Sequence, residues 1–245
     1  MNVFGFREPV SAWTHLSWMI LSVPATLFLW HRCKGAIVKQ LCFLFYGICL
    51  ALCFGGSAFY HGVCLSHQVV EGICQNLDYI GIFLMIAGNI TPLAVIVLRG
   101  KWRRACLTLT WGFSGTGILL RVCNVDISRG VSNCLYLGMG WGVVLCYFEL
   151  SRRLTHRGLL LVVAGGVTYS AGAVLNWQHW PTLWPGVFSA HELMHVLVMA
   201  ASLIHYVFMC QIVARYRPVA IPLPAGPNGA GIATPRSFRL GAVLN

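Results

Sequence analysis

Residues 41–61 of this 245-residue chain read LCFLFYGICLALCFGGSAFYH, and this stretch decides the fold. It contains no Asp, Glu, Lys or Arg, and its only histidine, His61, closes it. An apolar run of about 20 residues is the length that an α-helix needs to cross the hydrocarbon core of a bilayer. Because unpaired backbone groups are very costly in lipid, the run is predicted to be a transmembrane helix.

Similar runs recur along the chain and predict an all-α fold. Apolar stretches occupy residues 11–30, 41–61, 77–98, 102–120, 131–150, 159–175 and 191–213. Hydrophobic residues make up 58% of the chain and charged residues 9%, which is too little polar surface for a water-soluble globule. We therefore expect a polytopic seven-transmembrane-helix bundle over residues 1–217. Residues 218–245 are rich in Pro, Gly and Ala, and we expect a disordered tail there.

The formal net charge of +11 is interpreted as a topology signal, and no nucleic-acid partner is expected. Basic residues cluster after the first, third and fifth runs: Arg32, Lys34, Lys39, Arg99, Lys101, Arg103, Arg104, Arg152, Arg153 and Arg157. The opposite side has only Arg7, Arg121 and Arg129. Since basic loops stay in the cytoplasm, we predict an external N-terminus and a cytoplasmic C-terminus in the plasma (inner) membrane.

Polar residues beside the predicted spans gather on one side of the membrane. With alternating helix directions, the N-terminal face of the bundle receives Glu8, Ser11, His15, Ser57, His61, Asp78, His191, Glu192 and His195. Ionisable residues inside or beside spans are costly, so their location indicates function. The chain has only six carboxylates and nine histidines, which makes this grouping informative.

Three of these histidines form a candidate metal site. His191 and His195 are four residues apart, so a helix presents both imidazoles on one face. His61 would supply a third imidazole, and three protein ligands leave one tetrahedral position open, as in catalytic zinc sites. Asp78, near the same membrane face, is then a candidate to orient or deprotonate a water molecule.

The string His191-Glu192-Leu-Met-His195 also matches the H-E-x-x-H pattern of zinc proteases, in which the glutamate is the general base. Such sites need a further ligand, commonly downstream. After His195 the sequence contains no Asp or Glu and only His205, although Asp78 upstream remains available. An intramembrane metalloprotease is therefore the weaker of the metal-site hypotheses.

Four motifs together resemble the hemolysin III branch of the progestin-and-adipoQ-receptor family. They are Glu8-x-x-Ser11-x-x-x-His15, Ser57-x-x-x-His61, Leu77-Asp78-Tyr79 and His191-x-x-x-His195. They occur in the family's order, from Glu8 to about Val213, although the family usually has Asn where this chain has Ser11. Receptor members of the family have a cytoplasmic N-terminus, opposite to the orientation that the basic loops predict here.

The resemblance implies zinc (Zn2+) on His61, His191 and His195, with Ser57 and Asp78 as catalytic residues and Glu8, Ser11 and His15 in support. It extends to the alkaline ceramidases, so we expect a zinc-dependent hydrolase that acts on a lipid amide, with membrane lipid as substrate or ligand. The alternative is a non-enzymatic regulator of membrane homeostasis, a receptor-like sensor or a cytolysin, in which zinc is structural.

Overall fold

The computed structural model describes residues 6–63, 69–125 and 127–217, and most of these residues are helical. The described part of the chain forms seven long helical segments. They are α1 (Pro9–Arg32), α2 (Ile37–Gly62), α3 (Gln75–Ile96), α4 (Gly100–Val122), α5 (Arg129–Trp141), α6 (His156–Trp177) and α7 (Ala190–Phe208). A π-helical turn precedes α3 (Val70–Cys74), and another follows α7 (Met209–Val213). The tail predicted at residues 218–245 lies outside the described residues.

Local sequence signals explain several helix starts. Pro9 opens α1, where its missing N–H has no helical partner to lose. Ser128 and Thr155 cap α5 and α6 by accepting hydrogen bonds from backbone N–H groups of the first turn. Ser189 caps α7 in a capping box with Glu192. The capping box therefore fixes the residue at which the loop before α7 ends and the helix begins.

In the part of the chain that the structure describes, six helices are long and apolar enough to cross a membrane: Pro9–Arg32, Ile37–Gly62, Gly72–Ile96, Gly130–Ser151, His156–Trp177 and Ala190–Val213. Helix α4 has 23 residues, which is sufficient length, but it is less apolar than the other six. Basic residues occupy its first turns, and threonines, glycines and Arg121 lower the hydropathy of the remainder. The structure thus supports six of the seven predicted spans, and the crossing by α4 stays a prediction.

Arg121 was expected in the loop between the fourth and fifth runs, and this expectation is wrong. The residue lies in the last turn of α4 and is buried. Its guanidinium donates to the Ser132 hydroxyl over 2.7 Å and stacks 4.1 Å from the ring centroid of Tyr79. These two partners replace the water that a loop arginine would have, so the side chain belongs to the packed bundle.

Close packing of α2 against α3 determines where the polar residues meet. A Cβ atom on Gly81 would lie 2.7 Å from the Cα of Cys53, and one on Gly56 would lie 3.2 Å from a backbone oxygen at the start of α3. Small residues at helix contacts allow such an approach of two backbones in membrane proteins. The first turn of α3, which contains Asp78, is thereby held beside the last two turns of α2, which contain His61.

The fifth predicted span is helical but interrupted. After α5, residues Gly142–Cys146 form a 3-10 turn, and Tyr147–Ser151 complete the segment as a short α-helix. Glycines at 138, 140 and 142 weaken the helix before the interruption, because glycine has low helix propensity. A large cavity lies beside this segment.

The outer surface of the bundle is strongly apolar. Leu145 and Phe148 are 68% and 73% exposed, and Leu27, Phe28 and Leu52 are also exposed on other helices. By contrast, polar side chains such as His61 are buried inside. This distribution is the reverse of a water-soluble protein and is typical of helices that face lipid.

Candidate metal centre

The three predicted metal ligands meet at one end of the bundle. His61 lies in the last turn of α2, and His191 and His195 lie in the first two turns of α7. One ring nitrogen from each imidazole lies within 4.8 Å of the other two. The Nε2 atoms of His191 and His195 are 3.0 Å apart. His61 is thus brought within the reach of the same ion as two histidines that lie at least 130 positions later in the sequence.

Glu8, immediately before α1, orients His61. Its Oε2 atom lies 2.7 Å from Nδ1 of His61 and 3.8 Å from Nε2 of His191. The backbone N–H of Glu8 also donates to the carbonyl oxygen of His61 over 2.9 Å, which fixes the start of α1 against the end of α2. A carboxylate on the distal nitrogen of a metal-binding histidine fixes the tautomer and the ring orientation.

His15 contacts Nδ1 of His195, as Glu8 contacts Nδ1 of His61. Its Nε2 atom lies 2.8 Å from Nδ1 of His195, the rings meet edge to face, and both side chains are buried. When the Nδ1–H of His195 donates to His15, the Nε2 atom of His195 is left as a lone-pair donor for a metal. His15 therefore supports a ligand and does not add a fourth one.

The donor set fits a divalent metal such as zinc. The Nε2 atom of His61 is buried and has no hydrogen-bond partner among the described residues. A buried nitrogen of this kind carries an energetic cost unless something binds it. Nδ1 of His61 contacts Glu8 and Nδ1 of His195 contacts His15, so Nε2 is the nitrogen that each of these two rings can offer to a metal. Three imidazoles are a usual ligand set for zinc.

The pKa of the Glu8 carboxyl is lowered. Burial alone would raise this pKa, but the hydrogen bond and charge of His61, together with Arg7 and His191, outweigh the effect of burial. Arg7 lies 3.4 Å from the carboxylate and also donates to the carbonyl oxygen of Tyr60. Glu8 is therefore an anion at neutral pH and accepts the Nδ1–H of His61 as a charge-assisted hydrogen bond.

Asp78 and Ser57 lie beside the histidines in the same cavity wall. Asp78 interacts electrostatically with His61 and lies close to the hydroxyl of Ser57. That hydroxyl is buried and makes no hydrogen bond of good geometry within the described residues, so it is available to a bound molecule. The structure thus brings a carboxylate and a hydroxyl into the cavity that the imidazole cluster lines.

Glu192 and Ser11 have structural partners. One carboxylate oxygen of Glu192 accepts from the backbone N–H and the hydroxyl of Ser189, over 2.8 and 2.5 Å. The other oxygen accepts from the Ser11 hydroxyl over 3.5 Å. Glu192 is therefore occupied as the N3 residue of the capping box and as a bridge to α1, and this engagement does not favour the general-base role in the protease hypothesis.

A cavity of about 500 Å³ extends from the metal centre into the bundle. It follows α3 from Asp78 to Leu93, which corresponds to about 22 Å at the rise of an α-helix. Its deeper walls are mostly apolar and include Ile86, Ile90, Val143, Val144, Val162, Val198, Phe208 and Met209. On the side where α5 meets α6, Trp141 donates to the Ser170 hydroxyl over 2.9 Å. The polar site is thus the head of a long hydrophobic chamber.

Some residues at the site were not singled out from the sequence. Tyr60 and Gln75 line the cavity, and the Arg7 guanidinium lies 4.4 Å from the ring centroid of Tyr60. In the sequence, Arg7 and Tyr60 directly precede Glu8 and His61, and Gln75 lies one helical turn before Asp78. These positions are the only sequence signal for the three residues. His205 lines the deep end of the cavity, far from the other histidines along α7. Trp177, Trp180 and Trp184, at and after the end of α6, are exposed.

Comparison with known proteins agrees with the motif order. Residues 5–206 match the family described as haemolysin-III related. The chain is 32% identical over 204 residues to Hemolysin-3 of Bacillus cereus, covering 82% of this chain and 90% of that protein. It is 26% identical over 203 residues to the Hemolysin-3 homolog of Bacillus subtilis, covering 82% and 92%.

A more distant similarity reaches the adiponectin-receptor group. The chain is 29% identical over 184 residues to the heptahelical transmembrane protein ADIPOR2 of Oryza sativa, covering 65% of this chain and 74% of that protein. Together with the six apolar helices, these matches identify an integral membrane protein. The chain belongs to the haemolysin-III related family, within the larger group that includes the progestin and adipoQ receptors.

Proposed function

We propose that this protein is a zinc-dependent hydrolase that cleaves the amide bond of a membrane lipid. The observation that supports this proposal best is the position of three converging imidazoles at the head of an apolar cavity. A structural metal would need no such chamber, whereas a hydrolase of lipids needs both a polar reaction site and a compartment for a long hydrocarbon chain.

The cavity argues for a substrate with a polar group near one end. A chamber about 22 Å long accommodates an extended acyl chain, and its walls along α3, α6 and α7 are mostly apolar. The carbonyl of such a substrate would lie near Asp78 and His191, while the chain extends toward Met209. The exposed wall between α5 and α6 lies at the surface that faces lipid, so the substrate enters from the bilayer.

Different residues of the chain would bind the metal, transfer the proton and stabilise the developing negative charge. His61, His191 and His195 would hold the zinc ion, which when bound would supply a Lewis acid able to polarise a carbonyl and to lower the pKa of water to about 7. Asp78 takes the proton of the attacking water and returns it to the amine when the C–N bond breaks. Ser57 donates a hydrogen bond to the carbonyl oxygen as negative charge develops on it. The products are a fatty acid and an amine.

The second candidate is a lipid-binding regulator in which zinc only fixes α2 to α7. The same apolar chamber is consistent with a retained ligand, and one relative, from Drosophila melanogaster, is an adiponectin receptor protein. In this alternative Asp78 holds the site together electrostatically but performs no proton transfer. Both candidate functions use the metal and the cavity, and they differ only in whether the bound lipid is cleaved.

Purification in detergent, zinc analysis and a lipid-amide hydrolysis assay test the proposal. We expect about one zinc per chain in the wild type and in Asp78→Asn, with cleavage only in the wild type. His191→Ala should lose zinc and activity, whereas His31→Ala, an exposed histidine near the opposite end of α1, should keep both. Stoichiometric zinc without cleavage of any lipid amide by the wild type would favour the regulator. A folded wild type that binds no zinc contradicts both candidates.

A further inference from the structure

A second cavity lies at the end of the bundle opposite to the histidines. It has a volume of about 490 Å³ and is formed by the end of α1, the α1–α2 loop, the start of α2 and the residues that follow α7. Five cationic side chains line it, namely Arg32, Lys34, Lys39, Arg215 and Arg217. Among the described residues that form this basic pocket, none is a carboxylate.

The basic pocket has a defined shape. The ammonium group of Lys39 donates to the carbonyl oxygens of Ala214 and Tyr216 over 2.8 and 2.6 Å, and so joins the start of α2 to the end of α7. Tyr206 of α7 donates a hydrogen bond to a carbonyl oxygen of α1 over 2.9 Å, and this bond holds α1 against α7. The end of α1 is the third element that forms the basic pocket. The other cations therefore surround a fixed concave surface.

The positive charge of the basic pocket is not balanced within the described residues. The ion pairs seen among the described residues involve Glu8, at the other end of the bundle, and Glu149. Glu149 is paired with Arg153, which does not line the basic pocket. The sequence after Arg217 contains two further arginines and no Asp or Glu. Like charges close together raise the free energy of the unliganded state, and a bound anion relieves this cost.

The location of the basic pocket favours an anion from the membrane. Phe28, one turn before Arg32, and Ile37 and Leu41 at the start of α2 are at least half exposed and apolar. In a bilayer these side chains contact acyl chains, while the cations a turn away lie at headgroup level. A basic pocket between helices at this depth is suited to a lipid phosphate, which arginine binds through two parallel hydrogen bonds.

We propose that the basic pocket binds the phosphate group of an anionic membrane lipid, with the acyl chains along the exposed residues of α1 and α2. The site is separate from the metal centre, so it stands or fails independently of the hydrolase proposal. Lys39 holds the pocket together, whereas Arg32 and Arg215 are exposed at its surface and are the side chains that contact the phosphate.

The test compares lipid retention by wild type and two double variants in native mass spectrometry. Arg32→Gln with Arg215→Gln removes two pocket cations. Arg104→Gln with Arg157→Gln removes two exposed cations from the same end of the bundle, outside the pocket. Full-length protein in detergent is titrated with phosphatidylglycerol, with phosphatidylcholine, and with inorganic phosphate.

We expect the wild type and the Arg104/Arg157 variant to retain one phosphatidylglycerol, and the Arg32/Arg215 variant to bind it at least about tenfold more weakly. Phosphatidylcholine should be retained poorly by all three proteins. Equal weakening in both double variants overturns the proposal, because it indicates attraction by general surface charge. Inorganic phosphate that displaces phosphatidylglycerol at similar concentration would assign the pocket to soluble phosphate and overturn the lipid assignment.

Discussion

Glu8 is the residue on which the geometry of the metal centre depends most directly, apart from the ligands. Its carboxylate contacts His61 and reaches toward His191, and its backbone joins α1 to α2. A side chain in this position acts on the metal only through the imidazoles, by fixing their orientation and raising their basicity. We therefore predict that Glu8 acts as a positioning residue.

Replacing Glu8 should weaken metal binding without unfolding the protein. In Glu8→Ala we expect the zinc affinity to fall about 10- to 100-fold, because the Nδ1–H of His61 loses its acceptor. Glu8→Gln should lose less, since the amide oxygen still accepts this hydrogen bond but carries no charge. Competition with a chelator measures the affinity, and the melting temperature in detergent serves as the control. Unchanged affinity in Glu8→Ala would remove Glu8 from the site.

At the residue level, the predicted grouping of the three histidines is found in the structure. The spacing of His191 and His195 and the alternating direction of the spans placed them on one membrane face with His61, and the order of the motifs selected His61 as the third residue. The 2.7 Å contact of Glu8 was not predictable, because a residue just before a helix start has no periodicity to orient it. The burial of Arg121 likewise depends on partners from two other helices, Tyr79 and Ser132.

The contact between α2 and α3 is the element-level feature that places Asp78. We expect Gly81→Ala to destabilise the protein by about 1–3 kcal/mol, because the added methyl group meets backbone atoms at Cys53 that cannot rotate away. Thermal unfolding in detergent measures this loss. Gly112→Ala is the matched control, since a Cβ at Gly112 in α4 meets nothing within 4 Å. Similar melting temperatures for the two variants would show that α2 and α3 are not so closely packed.

The capping box of α7 gives a sharp test between the two metal-site hypotheses. Glutamine serves at N3 of a capping box as well as glutamate does, so Glu192→Gln should retain stability, zinc and lipid hydrolysis. Glu192→Ala should lower stability by about 0.5–2 kcal/mol through the loss of the cap. In a metalloprotease of the H-E-x-x-H type, Glu192→Gln would remove the general base. Abolished turnover in a stable, zinc-bound Glu192→Gln protein would therefore revive the protease hypothesis.

The irregular elements show what a hydropathy pattern misses. Helix starts at Ser128, Thr155 and Ser189 follow from short local signals. The 3-10 turn at Gly142–Cys146 and the π-helical turns do not, because a change of helix type leaves the apolar character of the segment unchanged. Helix α4 is a related case, since its first turns are basic and its threonines leave it less apolar than its neighbours.

At the scale of the whole molecule, polar chemistry is separated into two ends. His15, His61, His191 and His195 lie with Glu8, Asp78 and Glu192 at the end where α1 begins, and most of the Lys and Arg residues that the structure describes lie at the other end. This asymmetry was readable from the sequence, because loops alternate between sides. The cavity between the ends was not, since an apolar helix face gives no sign of whether it contacts a neighbour, a lipid or an empty chamber.

The same asymmetry predicts the orientation of the protein in the membrane. Basic residues next to span ends are retained in the cytoplasm, so the basic end should face the cytoplasm and the histidines should face outward. A fluorescent protein fused after the last residue should then fluoresce, and alkaline phosphatase in the same place should be inactive. A variant with Arg99, Lys101, Arg103 and Arg104 changed to Gln should show a mixture of both signals, because it loses the largest basic cluster.

The opposite pattern, with an active phosphatase and a dark fluorescent fusion in the wild type, would reverse the orientation. The metal centre would then face the cytoplasm, and the basic pocket would face a surface with fewer anionic lipids. Such a result would leave the imidazole cluster intact but remove the main reason for an anionic lipid at Arg32 and Arg215. The reporter measurement therefore tests the charge rule and the lipid proposal together, while the zinc and hydrolysis measurements remain independent of both.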